Sequence, residues 1–281
     1  KKLAGYIKPR AAKGTALWFA VWNEASLSSF WRGTPAEMAG LTAAARTAVR
    51  SVSTSYRVVA ASTTLRQDRS YRVFWRPYLK ALRAKGWPVD AFAIHTYPPS
   101  TGTPASRRAL ISRALADLRA ERAPSRPVWD TELNFGLAGP GARYPFRPKD
   151  EATSAAWLSR AYLDSVRLGL GRLYWYAWSP AGNLLGITLY DGTRATAAFR
   201  TTTGWVAGST YRGQVVSGAL VRLSFARSGK AFTIAWSEST SKPMKVPAGA
   251  TRMCPADGGA CVAVRPGATV RVGALPQRFG A

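Results

Sequence analysis

Short apolar runs alternate with longer amphipathic segments between residues 15 and about 207, and this alternation restricts the folds open to the chain. It is typical of repeated βα units built around a parallel sheet. Five units can be counted. Their predicted strands are the apolar runs 16–22, 57–62, 91–97, 128–132 and 173–177.

The segments between these strands predict helices. The first has a clear start, because Thr34 can cap the helix, Pro35 suits its first position and Glu37 stands three residues after the cap. The later helices are predicted at 71–85, 106–121, 150–168 and 196–207.

Beyond residue 208 the apolar pattern changes from a helical period to strict alternation. In AFTIAW, Phe232, Ile234 and Trp236 fall on one face of a strand. Gly and Pro recur every few residues, as between short antiparallel strands. We therefore expect two domains, a βα domain over 1–207 and a small β-sandwich-like domain over 208–281.

The 281 residues are 47% apolar, which is enough for a substantial core. No apolar run approaches the ~20 residues that cross a bilayer. The opening KKLAGYIKPR lacks the features of a signal peptide, so we expect an N-terminus that is mature, truncated or tagged.

The charge is extreme, since 40 basic and 14 acidic residues give a formal net charge of +26. One interpretation is a polyanionic partner, such as an acidic polysaccharide, an anionic cell surface or nucleic acid. The other is an Arg-rich composition without a specific site. The second is favoured because Arg recurs singly and no block of five or six basic residues exists.

Cys254 and Cys261 are the two cysteines, and they flank an Asp-Gly-Gly turn in CPADGGAC. A turn of this length can bring them within disulfide range, and no His cluster accompanies them to indicate zinc. We expect a disulfide and an oxidising compartment, with two free cytosolic thiols as the alternative.

Carboxylates occupy the ends of two predicted strands. Glu24 lies in VWNEAS at the end of the first strand, on the same face as Trp22, while Asp130 and Glu132 lie in PVWDTELNFG and share a face in the same way. The carboxyl ends of parallel strands meet at one face of a β/α barrel, where active sites form. We therefore expect Glu24 and Glu132 to be neighbours.

Two such carboxyl groups suit a retaining glycosidase, in which one protonates the leaving oxygen and the other attacks the anomeric carbon from about 5 Å away. In the alternative, Glu24 caps a helix and Glu132 pairs with an Arg, since ion-pair networks also use strand ends.

His95, the one histidine, and Tyr97 share a face of AIHTYPP with small residues. A lone His is more often structural than catalytic, but beside two glutamates it would position substrate or nucleophile. In RLYWYAWSP, Trp178 stands at the strand exit, where it is either core or a platform for a sugar ring. Trp22 and Trp31 could extend that platform.

Together these motifs resemble clan A of the glycoside hydrolases, retaining enzymes with a (β/α)8 TIM-type barrel, and within it family 39 and related secreted bacterial members. The WNE, HxY, TE and Trp motifs follow the order of strands four, six, seven and eight. The resemblance implies that Glu24 is the acid/base, Glu132 the nucleophile and Asn23 the partner of the sugar 2-hydroxyl. It also implies that His95, Tyr97 and Trp178 contact the substrate region.

The matching units are strands four to eight, whereas a complete barrel has three more before them. We therefore expect an N-terminally truncated barrel whose open sheet exposes backbone and apolar surface. A small C-terminal antiparallel β domain follows it.

The function expected from the sequence is hydrolysis of a β-linked glycoside or polysaccharide by double displacement. No metal or organic cofactor, no specific nucleic acid and no transmembrane segment is expected, and the location would be secreted or at the cell surface. The alternatives are a catalytically inactive carbohydrate-binding protein and a polyanion-binding surface protein.

Overall fold

A computed structural model of the protein describes residues 1–10, 12, 15–179 and 182–281, which leaves Pro180 of the aromatic motif outside the described residues. The chain forms two compact units. The first consists of Lys1–Pro99, Ala105–Leu133 and Leu170–Trp175. The second consists of Ser100–Pro104, Asn134–Gly169 and Tyr176–Ala281.

The first unit has parallel strands at all five predicted positions and a sixth directly after the predicted second strand. They are β1 (Trp18–Ala20), β2 (Arg57–Val59), β3 (Thr63–Thr64), β4 (Phe92–His95), β5 (Val128–Leu133) and β6 (Arg172–Trp175). The helices of this unit are α1 (Lys2–Ile7), α2 (Pro35–Arg50), α3 (Asp68–Ala84) and α4 (Pro104–Ala120), with a 3₁₀ turn at Lys8–Arg10. Most strands are shorter than predicted, because the apolar runs extend beyond the residues that pair with a neighbouring strand.

The strands run parallel in the order of the sequence. β1 pairs with β2, and β3 through β6 form a continuous ladder. A bridge between Val59 and Ala91 joins the two groups. All the strands therefore end on the same side of the unit.

The predicted start of α2 is confirmed. The Thr34 side chain accepts from the Glu37 backbone N–H, and the Glu37 carboxylate accepts from the Thr34 backbone N–H. This reciprocal pair satisfies two donors that the first helical turn leaves open. The cap fixes where the chain turns back after β1.

One face of this sheet is open. Trp18, Trp129, Arg172 and Tyr174 line a cavity of about 290 Å³, although β1 and β6 stand at opposite ends of the strand order. The sheet is therefore strongly curved. No strand in the described part of the chain pairs with the outer edge of β1 or of β6.

The second unit contains two helices and an antiparallel region. The helices are α5 (Glu151–Arg167) and α6 (Arg194–Val206). The strands are β7 (Thr210–Ser217), β8 (Leu220–Arg227), β9 (Lys230–Ser237), β10 (Lys242–Lys245), β11 (Arg252–Pro255), β12 (Val262–Ala263), β13 (Thr269–Val272) and β14 (Gln277–Gly280). They form a six-stranded sheet, in the order β12-β11-β14-β9-β8-β7, and the separate pair β10-β13.

The alternation in AFTIAW is confirmed, because Phe232, Ile234 and Trp236 lie together in one buried cluster with Leu163 of α5. Ala235 on the opposite face of β9 belongs to a second buried cluster. Strand β9 is therefore covered on both faces.

The predicted disulfide between Cys254 and Cys261 is confirmed, with a Cα–Cα distance of 4.2 Å. It closes the antiparallel pair of β11 and β12. Among the described residues, no helix combines the length and the apolar character that crossing a membrane requires.

Candidate active site

The residues predicted at the strand ends come together in the first unit. Glu24 follows β1, His95 ends β4, and Glu132 lies near the end of β5. Parallel strands bring their carboxyl ends to a common side. The topology thus converts three distant sequence positions into one cluster.

The cluster is tight. Nδ1 of His95 lies 3.0 Å from Oε1 of Glu24 and 3.6 Å from Oε2 of Glu132. Donor atoms of the three side chains all lie within 4.8 Å of one another. His95 is 1% exposed, whereas the side chains of Glu24 and Glu132 are 15% and 28% exposed. The imidazole is therefore a buried support beneath two carboxylates that solvent reaches.

The backbone of Glu24 takes an unusual conformation, with φ at 41°. Non-glycine residues rarely occupy this left-handed region, and such strain concentrates at functional sites. Ser62 holds the turn, because its Oγ accepts from the Glu24 backbone N–H at 2.9 Å. Its carbonyl accepts from the Ala25 backbone N–H at 3.0 Å.

Tyr97 supports the second carboxylate. Its hydroxyl donates to Oε2 of Glu132 at 2.9 Å. Burial, followed by the negative charge of Glu132, raises the pKa of Tyr97 well above its usual range. The phenol therefore stays protonated and remains a donor to Glu132.

Neither Glu24 nor Glu132 forms an ion pair with Lys or Arg in the described part of the chain, although the protein carries 40 basic residues. Nine other acidic side chains each meet an Arg, namely Asp68, Asp90, Asp117, Glu121, Asp130, Asp164, Asp191, Glu238 and Asp257. The remaining three, Glu37, Asp150 and Glu151, accept hydrogen bonds from backbone N–H groups. In the described part of the chain Glu132 therefore has no Arg partner, and the helix that follows Glu24 is capped by Thr34 instead.

A cavity of about 260 Å³ opens beside the cluster. His95 and Glu132 line it together with Trp22 and Asn23. The Asn23 side-chain oxygen lies 3.5 Å from the Ser62 hydroxyl. Trp31 does not line this cavity but packs edge-on against Trp22, with ring centroids 5.7 Å apart.

The expectation that Asp130 and Glu132 share a face is wrong. Asp130 is fully buried and accepts from Nη2 of Arg107 at 2.8 Å, and also from the Thr96 hydroxyl. The pairing of β5 shifts register between Asp130 and Leu133, so the period of two breaks between the carboxylates. As a result the consecutive residues Thr131 and Glu132 both line the cavity.

Trp178 belongs to the second unit and follows the end of β6. It is 49% exposed, packs edge-on against Phe199 and lies beneath the Arg200 guanidinium. One flat aromatic side thus remains accessible to a ligand.

Glu24, His95 and Glu132 could also hold a metal ion, because each offers a donor atom within a radius typical of such sites. From the sequence, no metal-ligand cluster was expected. The spacing arises because the strand ends converge, which a linear pattern does not display.

Sequence reasoning missed several residues of the site. Ser62 could have been found, since it is a polar residue directly after the apolar run VVAA of the second strand. Arg66, whose guanidinium lies 5.9 Å from the Tyr97 ring centroid, and Arg107, beneath Asp130, carry no comparable signal.

Several solved structures of glycoside hydrolases are similar to the structure of this chain. A family 39 glycoside hydrolase from Bacteroides cellulosilyticus WH2 matches with a TM-score of 0.72 and 17% identity, over 100% of this chain and 60% of that one. A GH39 β-xylosidase from Caulobacter crescentus matches with a TM-score of 0.64 and 12% identity, over 100% and 70%. A GH30 endoxylanase from Clostridium papyrosolvens C71 matches with a TM-score of 0.60 and 16% identity, over 98% and 67%.

The fold of this chain is therefore similar to part of the fold of these glycoside hydrolases. At these identities the likeness establishes the fold alone. The chain spans 60% of the length of the Bacteroides enzyme. No protein-family model matches the sequence, and no curated protein matches it.

Proposed function

We propose that this chain carries the catalytic site of a retaining glycoside hydrolase that cleaves a β-linked glycoside or polysaccharide. The observation that carries the proposal is the pair Glu24 and Glu132, which face the same His95 without a neutralising Lys or Arg in the described residues. Two close carboxylates without a neighbouring cation repel each other, which destabilises the folded state. A reaction that needs both accounts for that cost.

The spacing supports retention. Oxygens of the two carboxyl groups lie within 4.8 Å of each other. Retaining enzymes hold their carboxyl groups about 5–5.5 Å apart, whereas inverting enzymes leave about 6.5–9.5 Å for a water molecule. The separation of these two oxygens is therefore closer to the retaining spacing than to the inverting one.

In the proposed first step, Glu132 attacks the anomeric carbon while Glu24 gives its proton to the departing glycosidic oxygen. The bond from the anomeric carbon to the leaving oxygen breaks as the glycosyl ester forms. In the second step Glu24, now a carboxylate, takes a proton from water. The water oxygen attacks the anomeric carbon and releases Glu132.

The hydrogen bonds support this assignment of roles. The Tyr97 hydroxyl donates to Oε2 of Glu132, which holds that carboxyl group in a fixed orientation, as a nucleophile requires. Asn23 precedes Glu24 and lines the cavity, which suits a contact with the sugar 2-hydroxyl. Trp22 lines the same cavity and packs against Trp31, so these two rings would supply aromatic surface for a sugar.

We also propose that three further βα units precede these strands in the complete barrel. The open edges of β1 and β6 and the uncovered aromatic face support this completion. Whether they belong to the same polypeptide can be read from the coding sequence upstream of residue 1. Three encoded βα units are expected there, and a start codon without them would contradict the proposal.

A secreted or cell-surface location suits this function. The disulfide between Cys254 and Cys261 fits an oxidising compartment. Cell fractionation should place the protein outside the cytoplasm, and a reduced cytoplasmic form would contradict this.

The stereochemistry of the first product tests the function. The full-length protein, with every residue that its coding sequence adds upstream of residue 1, is incubated with a panel of aryl β-glycosides, and the anomeric proton of the initial product is followed by NMR. The β-anomer is expected to form first. Initial α-anomer, or no turnover of any panel member or of xylan and glucan, would contradict the proposal.

Measuring turnover in the presence of a chelator distinguishes this mechanism from metal-dependent chemistry at Glu24, His95 and Glu132. Turnover should be unchanged in EDTA, because no step above uses a metal. Loss of activity in EDTA with recovery on adding Zn²⁺ would favour a metal site instead.

A further inference from the structure

A second cavity lies in the antiparallel unit. It has a volume of about 740 Å³ and is lined from α6, the β8–β9 turn, the β10–β11 loop and β14. We call it the basic groove and define it by the lining residues Trp205, Arg227, Lys230, Phe232 and Arg278. Its volume lies within the range of ligand sites, about 300–1,000 Å³.

The groove carries positive charge without acidic side chains. Arg227, Lys230 and Arg278 line it, and no Asp or Glu does so within the described chain. Arg227 is partly compensated, because its Nη2 donates to the carbonyls of Gly204 and Trp205 at the end of α6. Lys230 and Arg278 form no ion pair with a described carboxylate.

Arg278 is held in place with its charge exposed to the groove. Its guanidinium lies 4.8 Å from the centroid of the Phe232 ring, which orients the planar group. Partial burial, and then the neighbouring charge of Arg227, lower the pKa of Arg278. Arginine does not lose its proton in proteins, so Arg278 remains a cation beside the second cation of Arg227.

We propose that the basic groove binds an anionic polysaccharide through carboxylate or sulfate groups on its sugars. An ordered guanidinium fork matches such groups in two parallel hydrogen bonds. The half-buried Trp205 provides aromatic surface beside the cations for the apolar side of a sugar.

The choice of a saccharide over another polyanion rests on the proposed function. A second binding site would keep a polysaccharide substrate close to the active site of a glycosidase. The groove itself is independent of Glu24 and Glu132, which belong to the other unit. Binding and turnover can therefore fail separately.

The test measures binding of hexagalacturonate by isothermal titration at 150 mM NaCl, with a hexasaccharide of chondroitin sulfate as the sulfate arm and maltohexaose as the neutral arm. The variant Lys230→Gln/Arg278→Gln should bind at least one anionic probe about tenfold more weakly, as expected for one lost charge-assisted hydrogen bond. Glu132→Gln should bind like wild type, and maltohexaose should bind much more weakly than the anionic probes.

A matched control removes the same charge elsewhere. Lys245→Gln/Arg271→Gln changes two exposed cations of the same unit outside the groove, so its affinity should fall less than about twofold. Equal losses in both double variants, or no binding of either anionic probe, would overturn the proposal. So would tighter binding of a 20-base-pair DNA duplex that is lost in the same groove variant.

Thermal melting of both double variants accompanies the titrations. Unchanged aryl-glycoside turnover in the groove variant, together with weakened hexagalacturonate binding, is the expected combination. Loss of turnover by Glu132→Gln without loss of binding would show that the two sites act separately.

Discussion

Strand β5 carries two carboxylates two residues apart, and they meet opposite environments. Asp130 is fully buried, with Arg107 and Thr96 as its partners. Glu132 is 28% exposed and meets His95 and Tyr97 instead of a cation. One carboxylate is paired with a cation inside the fold, and the other lines a cavity without a Lys or Arg partner among the described residues.

In an Arg-rich chain, this difference distinguishes acidic residues that stabilise the fold from acidic residues that react with a ligand. Nine of the 14 acidic side chains meet an Arg and three others accept from backbone N–H groups, so Glu24 and Glu132 differ from the rest in having neither kind of partner among their side-chain contacts. Burial raises the pKa of Asp130, and the charge of Arg107 opposes that shift. Glu132 has no such compensation, which fits a group that reacts with a ligand.

The largest expected effect sharpens this contrast. Glu132→Gln should reduce glycoside turnover by at least about 10³-fold, because the nucleophile is removed. Its melting temperature should stay at the wild-type value or rise, since no ion pair is lost. Steady-state kinetics and thermal melting measure the two effects. A stable variant that keeps full activity would contradict the role of Glu132.

Removing the cation beside Asp130 should lower the stability of the protein, whereas removing Glu132 should lower turnover. Arg107→Met leaves Asp130 buried without its cation, which should cost about 3–5 kcal/mol of the free energy of unfolding. Urea denaturation measures it. The control Arg119→Met lies on the exposed side of the same helix and should change stability by less than about 0.5 kcal/mol. If both variants lost the same amount, Asp130 would not depend on its cation.

The effect of Glu24 should depend on the leaving group. Glu24→Gln should slow cleavage of alkyl glycosides by about 10²–10⁴-fold, the usual contribution of a general acid. Formation of the glycosyl ester from dinitrophenyl glycosides should change little, because that leaving group needs no proton. Burst kinetics compare the two substrates. Equal losses for both would remove Glu24 from the acid role.

The hydroxyl of Tyr97 should make the stability of the protein depend on pH. The unfolded chain releases this phenolic proton near its ordinary pKa of about 10, while the raised pKa keeps the folded phenol protonated. Rising pH above about 10 therefore favours unfolding, and the stabilising contribution is fully present below that pH. Tyr97→Phe should flatten the fall of stability between pH 10 and 11. An unchanged slope in urea titrations would show that Tyr97 is not held protonated.

The smallest expected effect concerns the turn at Glu24. Ser62→Ala removes the acceptor of the Glu24 backbone N–H and should lower kcat about threefold to tenfold with little change in KM, about the value of one hydrogen bond. The control Thr63→Val removes a buried hydroxyl that has no hydrogen-bond partner among the described residues. It should leave kcat unchanged, and a loss equal to that of Ser62→Ala would argue against positioning by Ser62.

Local features were predictable from the sequence. The cap at Thr34, the order of strands and helices, and the disulfide all depend on residues close together in the chain. The meeting of Glu24 with Glu132 was also predictable, because it follows from parallel strands that end on one side. Residue spacing was sufficient in each of these cases.

Other features depend on contacts that no local pattern encodes. The positive φ of Glu24 arises where strand pairing has already ended at Ala20, so alternation no longer applies. The irregular register of β5 separates Asp130 from Glu132. The Arg107 partner comes from a neighbouring helix, and the sequence contains many equivalent arginines.

The central claim is that Glu132, and not Asp130, reacts with substrate. A 2-deoxy-2-fluoro glycoside with a dinitrophenolate leaving group should form a stable ester, and peptide mapping by mass spectrometry would locate it. The account predicts one label per chain, on Glu132, and none in Glu132→Gln. A label on Asp130 or Glu24, or no label from any sugar that the protein hydrolyses, would contradict it.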